Sequence, residues 1–302
     1  MNDRKPTKRR VLVRGLSTLF YEAGEGPVIL LVPGVGTDPR GWFPVMDELA
    51  LTHRVIALAL PGLGGTSPQP DVRPAAMASF VGDFLDTVEV DSVIAVGHSF
   101  GGLVVAELAL QDPPKVSRLT LVDASGLGRA VNPAAIALAL LPEPVADLAS
   151  AFVSLPGGAL AFTLSSNLLL RQPWRIPLVT WAAQFRLARS RQALRTALKV
   201  FRENADITGQ RESVSVVDRL HEIDVPTLVI WGGFDRLFPL WQGWSAARRL
   251  PAGRFTLLAG AGHVSYLDSH EEFVEALGSF VRDDLEPTSP IGCANPAQGG
   301  QP

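Results

Sequence analysis

Short, uninterrupted apolar runs recur along this chain: VILLV at 28–32, VIALA at 55–59, VIAV at 93–96, LTLV at 119–122, TLVIW at 227–231 and FTLLA at 255–259. Each is four or five residues long and mostly β-branched or aliphatic. A run that is apolar at every position, rather than at every second one, fits a strand buried on both faces of a parallel sheet. Between the runs, apolar residues return at helical spacing near 41–50, 75–89, 101–111, 240–250 and 270–284. Strand and helix in alternation predict an α/β fold with a mostly parallel, doubly wound sheet. Residues 11–22 are expected to add antiparallel edge strands.

The rhythm breaks between about 127 and 222. No convincing strand occurs there, and the helical segments are interrupted by Pro133, Pro142, Pro144, Pro156, Pro173 and Pro177. Lying between two sheet strands, this stretch reads as a helical cap inserted into the core. Its most apolar part, 134–170, must pack on the sheet domain and is also suited to line a pocket. The predicted organisation is a flexible N-terminus at 1–10, a core of 11–126 and 223–285, the cap at 127–222, and a disordered tail at 286–302. The tail is rich in Pro, Gly and Gln and lacks apolar periodicity.

Composition narrows the function. Of 302 residues, 47% are hydrophobic and 19% charged, enough apolar matter for a large core. The net charge of −3 projects no field toward nucleic acid. The basic residues Arg4, Lys5, Lys8, Arg9 and Arg10 read as a solvated terminus. The single cysteine, Cys293, excludes an internal disulfide framework and fits a reducing, cytoplasmic compartment. Its place in the tail argues against a catalytic role. No apolar run approaches the roughly 18 residues of a membrane span, and no secretory signal follows the basic start. No Cys/His cluster has metal-ligand spacing and no nucleotide loop is found, so neither metal nor cofactor is expected. The expected partner is a small-molecule substrate; the oligomeric state is not written in the sequence.

The candidate chemistry lies at Gly97-His98-Ser99-Phe100-Gly101, a G-x-S-x-G pattern. A buried strand, Val93 to Val96, runs into it and an apolar helix, Leu103 to Leu110, follows. A sharp strand-to-helix turn needs small flanking residues and lifts the serine hydroxyl out at the carboxyl end of the sheet. The positive end of the next helix then faces any oxyanion formed there. His98 is read as a packed structural histidine pointing away from Ser99.

With that elbow, Leu60-Pro61-Gly62-Leu63-Gly64, Trp231-Gly232-Gly233-Phe234-Asp235 and Gly260-Ala261-Gly262-His263, the chain from about residue 12 to 284 resembles the α/β-hydrolase superfamily, in its serine-nucleophile branch with a helical cap. The last two segments are similar to the family's acid loop and histidine loop. A serine hydroxyl needs a neighbouring base, and the base a carboxylate to orient it. Of five histidines, only His263 follows a buried strand in a glycine-rich loop ahead of the final helix; His53, His221 and His270 are placed elsewhere in the pattern. Two carboxylates compete. Asp235 keeps the chain order Ser99, Asp235, His263 expected of this fold, whereas Asp123 follows the strand next after the nucleophile strand. The closer match of its loop favours Asp235. Asp268 follows His263 too soon to reach its far nitrogen and is read as structural.

The resemblance also implies an oxyanion hole from the amides of Phe100 and Val35. Two departures stand out. Pro33-Gly34 replaces the usual His-Gly, and Ala59 replaces the usual acidic residue two positions before Pro61. The implied activity is that of a carboxylic-ester-hydrolase-like serine hydrolase acting on an ester-like acyl bond of a small, largely apolar substrate. Carbon–carbon bond hydrolysis, perhydrolysis and acyl transfer on the same triad, or a non-enzymatic hydrolase-fold receptor or carrier, are the alternatives.

Overall fold

The structure is a computed structural model that describes residues 5–167, 171–175 and 177–282. The core strands are β1 (Thr7–Val13), β2 (Leu16–Ala23), β3 (Val28–Val32), β4 (Arg54–Leu58), β5 (Val93–His98) and β6 (Val116–Val122). After the cap come β9 (Thr227–Gly232) and β10 (Gly253–Leu258), while β7 (Ala205–Asp206) and β8 (Gly209–Gln210) form a two-stranded ladder within it. The eight core strands lie in the order β1-β2-β4-β3-β5-β6-β9-β10. β1 and β2 pair antiparallel at one edge; the strands from β4 to β10 in that order are parallel.

The apolar runs are continuous because both sheet faces are covered. Successive strand side chains point to opposite faces. In β3, Leu30 and Val32 join one core with Phe80 and Phe84 of α2 (Pro74–Thr87) and Val104 and Leu108 of α3 (Phe100–Gln111). The alternate residues Ile29 and Leu31 join the other, with Val45 and Met46 of α1 (Phe43–Leu49) and Phe273 and Leu277 of the C-terminal helix, His270–Arg282. The cap contributes α4 (Pro133–Ala139), α5 (Glu143–Val153), α6 (Pro156–Ser166), α7 (Leu178–Ala188) and α8 (Arg191–Asn204). Proline occupies the first or second position of α4, α5 and α6, where its missing N–H would be unbonded anyway. Then follow α9 (Leu240–Arg249), α10 (Ser265–Asp268) and α11, the C-terminal helix just described.

Two expectations need correction. The N-terminus expected to be flexible through residue 10 is strand from Thr7, paired from Thr7↔Glu22 to Val13↔Leu16. Its basic residues do structural work: Arg9 pairs with Glu22 at 2.6 Å, and Arg10 donates to Ser17 Oγ and to the Gly65 carbonyl. The cap, expected without strands, contains the short β7–β8 ladder, made by a tight turn in which Asp206 Oδ1 accepts from the Thr208 amide. Residues 286–302, with Cys293, lie outside the described residues. Among the described residues no single helix is long and apolar enough to cross a membrane.

Candidate active site

β5 is buried at all six positions and runs directly into Ser99. There the backbone turns to φ +52° and ψ −120° before α3 starts at Phe100. Holding a side chain in such a conformation costs about 1–3 kcal/mol. Glycine on either side allows the turn. A Cβ on Gly97 would fall 2.3 Å from the Gly101 carbonyl oxygen, and one on Gly101 would fall 2.3 Å from that of Val32. The turn is pinned by the Ser99 amide donating to the Val122 carbonyl at 2.9 Å and by the Gly102 and Ser125 amides donating to the Ser99 carbonyl at 3.0 Å.

The loop after β10 brings His263 back over this elbow. His263 Nε2 lies 3.1 Å from Ser99 Oγ, and Nδ1 lies 3.0 Å from Asp235 Oδ2. The other oxygen of Asp235 accepts from the amides of Leu237 at 2.7 Å and Phe238 at 3.0 Å, so the carboxylate is held at both ends. With Nδ1–H given to a carboxylate, Nε2 carries the lone pair that faces the serine hydroxyl. Burial works to lower the pKa of His263, but the charge of Asp235, its hydrogen bond and the charge of Asp123 outweigh it and raise the pKa above the ordinary histidine value.

Asp123, the competing carboxylate, is fully buried and sits at φ +44° after β6. Its oxygens accept from the Gly232 amide at 2.7 Å and the Ser265 amide at 3.1 Å. It therefore bridges the end of β9 to the start of α10, and the structure places Asp235 rather than Asp123 in hydrogen-bond contact with His263. Burial, then the negative charge of Asp235, push the Asp123 carboxyl up to about 7.

His98 and Asp268, both read from the sequence as structural, have partners that the sequence pattern did not show. His98 Nε2 donates to the carbonyl of His263 at 2.8 Å, holding the histidine loop from beneath. Burial, and then the neighbouring His263, press its pKa down to about 3, so it stays neutral. Asp268 is also buried, and its carboxylate accepts three amides at 2.8 Å: Gly262 of the histidine loop, and Arg171 and Gln172 of the cap. It ties the cap to that loop. Apart from the bond to Gly262, six residues away, these contacts join distant segments and carry no local sequence signal. The other histidines lie apart from Ser99: His53 bonds Thr52 Oγ1 beside the start of β4, His221 is exposed in a 3₁₀ turn, and His270 begins α11.

Phe100 is the first residue of α3, so its amide has no partner inside the helix. Val35 sits half-buried in the turn closed by the Thr37 amide and hydroxyl, both donating to the Gly34 carbonyl. Gly34 is so close to the elbow that a Cβ there would lie 2.8 Å from the Ser99 Cβ. At the second departure, Ala59 is buried and its carbonyl accepts from Thr66 Oγ1 at 2.7 Å, while that oxygen accepts from the Leu19 amide. Among the described residues no group of three His, Cys, Asp or Glu side chains could hold a metal ion.

A family model described as the α/β-hydrolase fold matches residues 27–270. The chain belongs to the α/β-hydrolase family. An uncharacterized protein of Mycobacterium tuberculosis is 31% identical over 93% of this hydrolase chain and 83% of its own length. The dihydrolipoyllysine-residue acetyltransferase component of the acetoin cleaving system of Cupriavidus necator is 32% identical over 86% of this chain and 65% of its own. Among solved structures, 2-hydroxy-6-oxo-6-phenylhexa-2,4-dienoate hydrolase from Rhodococcus sp. strain RHA1 superposes with a TM-score of 0.75 at 19% identity, covering 92% of this chain and 99% of that one. That likeness is one of α/β-hydrolase fold.

Proposed function

We propose that this α/β hydrolase is a serine hydrolase that cleaves an ester-like acyl bond of a small, largely apolar substrate through an acyl-enzyme at Ser99. The observation that carries this reading is the unbroken hydrogen-bonded line from Asp235 through His263 to Ser99 Oγ. Ser99 Oγ attacks the substrate carbonyl carbon while His263 Nε2 takes its proton, and Asp235 stabilises the imidazolium that results. The amides of Phe100 and Val35 receive the carbonyl oxygen as it becomes an anion; one such donor contributes roughly 3–4 kcal/mol. His263 returns the proton to the departing alkoxide, leaving Ser99 acylated. A water, deprotonated by His263, then attacks the acyl carbon and restores the serine.

Carbon–carbon hydrolysis and acyl transfer would use the same three groups, and the Cupriavidus relative carries an acyl-transfer name. A panel of acyl esters, thioesters, amides and vinylogous diketones, assayed with and without an alcohol acceptor, distinguishes them by product. Preferential turnover of esters to free acid supports ester hydrolysis; turnover of the diketones alone, or ester product only with the alcohol present, overturns it. The cap is assigned the choice of acyl chain. Each buried methylene contributes about 0.8 kcal/mol, so kcat/KM is expected to rise roughly fourfold per added carbon until the pocket is full. A flat profile, or a preference for charged acyl groups, counts against an apolar pocket.

The pH profile follows from the base. His263 accepts a proton only when neutral, and its pKa is raised. Activity is therefore lost as pH falls through a value above that of an ordinary histidine, and regained above it. The acid limb of kcat/KM against pH reads this value in the free enzyme. A limb at or below the ordinary histidine value would mean that Asp235 does not hold His263 as described.

A further inference from the structure

In the outer helices of the cap the usual arrangement of side chains is inverted. On α5, Val145, Leu148 and Phe152 fall at i, i+3 and i+7 and so share one face, and that face is exposed, Phe152 to 61%. The buried positions of the same helix are the small residues Ala146 and Ser150. α6 repeats the pattern: Leu160 and Leu164 are exposed, while Ala159 and Thr163 are buried. Beyond it, Trp174 is 75% exposed and Leu178, at the start of α7, is 86% exposed. Single exposed leucines are ordinary, but a succession of large apolar side chains on consecutive elements marks a surface that something covers.

The charge of the same segment says what. From Leu148 to Arg202 the chain carries no Asp or Glu, against seven arginines and one lysine, although the whole chain has a net charge of −3. Arg195 and Arg202 are engaged by Asp147 and Glu143. Arg186, Arg189 and Arg191 are exposed and form no salt bridge among the described residues. Exposed leucine, phenylalanine and tryptophan in a segment that carries exposed cations and no carboxylate of its own are the composition that lies in the headgroup region of an anionic membrane. A second copy of the chain would bring the same cations against themselves.

We propose that the outer face of the cap, formed by α5, α6, Trp174 and Leu178, docks on the surface of an anionic phospholipid bilayer. The apolar side chains enter the upper acyl region, and the arginines meet the lipid phosphates. This attachment is peripheral and holds whichever bond Ser99 attacks. It also places the lipid surface beside the cap segment that Asp268 ties to the histidine loop.

The test is flotation of the full-length protein with vesicles of phosphatidylcholine containing phosphatidylglycerol, against vesicles of phosphatidylcholine alone. Binding is expected with the anionic vesicles, weakened by salt because the exposed cations are screened. A Leu148→Ser/Phe152→Ser/Leu160→Ser variant is expected to lower the apparent partition coefficient about tenfold or more, since it removes the inserted apolar area. An Arg186→Gln/Arg189→Gln/Arg191→Gln variant is expected to lose the preference for anionic lipid. Circular dichroism and thermal melts identify any variant that fails to fold; removing exposed apolar groups leaves the core packing in place. No flotation, equal flotation on both vesicle types, or flotation untouched by the triple serine change would each overturn the proposal. So would a dimer in sedimentation analysis that the triple serine change dissolves, which would assign the face to a second copy.

Discussion

Replacing Ser99 with alanine is expected to reduce kcat on the best ester substrate by about a millionfold, the scale of loss when a triad serine is removed. On the proposed mechanism the substitution deletes the atom that would receive the acyl group, so His263 and the proposed oxyanion amides would have nothing to activate. The small residual rate over water would come from those amides and from binding alone. A fluorophosphonate probe should label one serine of the unaltered protein, located by peptide mass analysis, and should leave the alanine variant unlabelled. Because Ser99 Oγ lies 3.1 Å from His263 Nε2, the labelling should require the neutral imidazole and decline with acid alongside turnover. Undiminished labelling or turnover of the alanine variant would falsify the assignment of the nucleophile.

The second large effect separates two aspartates. Asp235→Asn is expected to keep the fold and lower kcat by up to roughly ten-thousandfold, because an amide facing Nδ1 favours the tautomer that leaves no lone pair toward the serine. Asp123→Asn is expected to have a far smaller effect on kcat. The carboxyl of Asp123 is pushed up to about 7, so its neutral form is already well populated near neutrality and asparagine resembles it. What asparagine loses is one acceptor oxygen for the Gly232 or Ser265 amide, a stability loss of about 1–3 kcal/mol. Paired kinetics and thermal melts on both variants make the comparison. If Asp123→Asn abolishes turnover while Asp235→Asn stays active, the acid belongs to β6 instead of β9.

Most of the sheet was legible in the sequence because burial on both faces imposes a run with no polar interruptions. Val28–Val32 and Thr227–Trp231 stand out for that reason, and Ser99 stands out because a strand, a glycine-flanked serine and a helix follow one another without a gap. β1 was hidden for the opposite reason. An edge strand with most of its residues exposed carries Lys8, Arg9 and Arg10 without conflict, so composition suggested a loose terminus. Its partners, Glu22 and the Gly65 carbonyl, come from elsewhere in the chain. The supports of the histidine loop were equally illegible. His98 reaches a carbonyl 165 residues away, and Asp268 reaches amides 97 and 96 residues away, all brought together only by tertiary folding. Between β6 and β9 prolines stand at the starts of α4, α5 and α6, yet the apolar residues there suggested a core; that many of them face outward depends on which side of each helix meets its neighbours.

The positive-φ geometry of Ser99 also limits how this protein can be made more robust. A folded domain is held by only about 5–15 kcal/mol, and a strained serine surrenders a noticeable part of that margin at one position. Glycine would relax the turn and erase the hydroxyl together. If Ser99 is the nucleophile as proposed, stability and reactivity are opposed at a single residue, and thermostabilising substitutions have to be sought away from the elbow, where packing and capping can be improved without touching its hydroxyl.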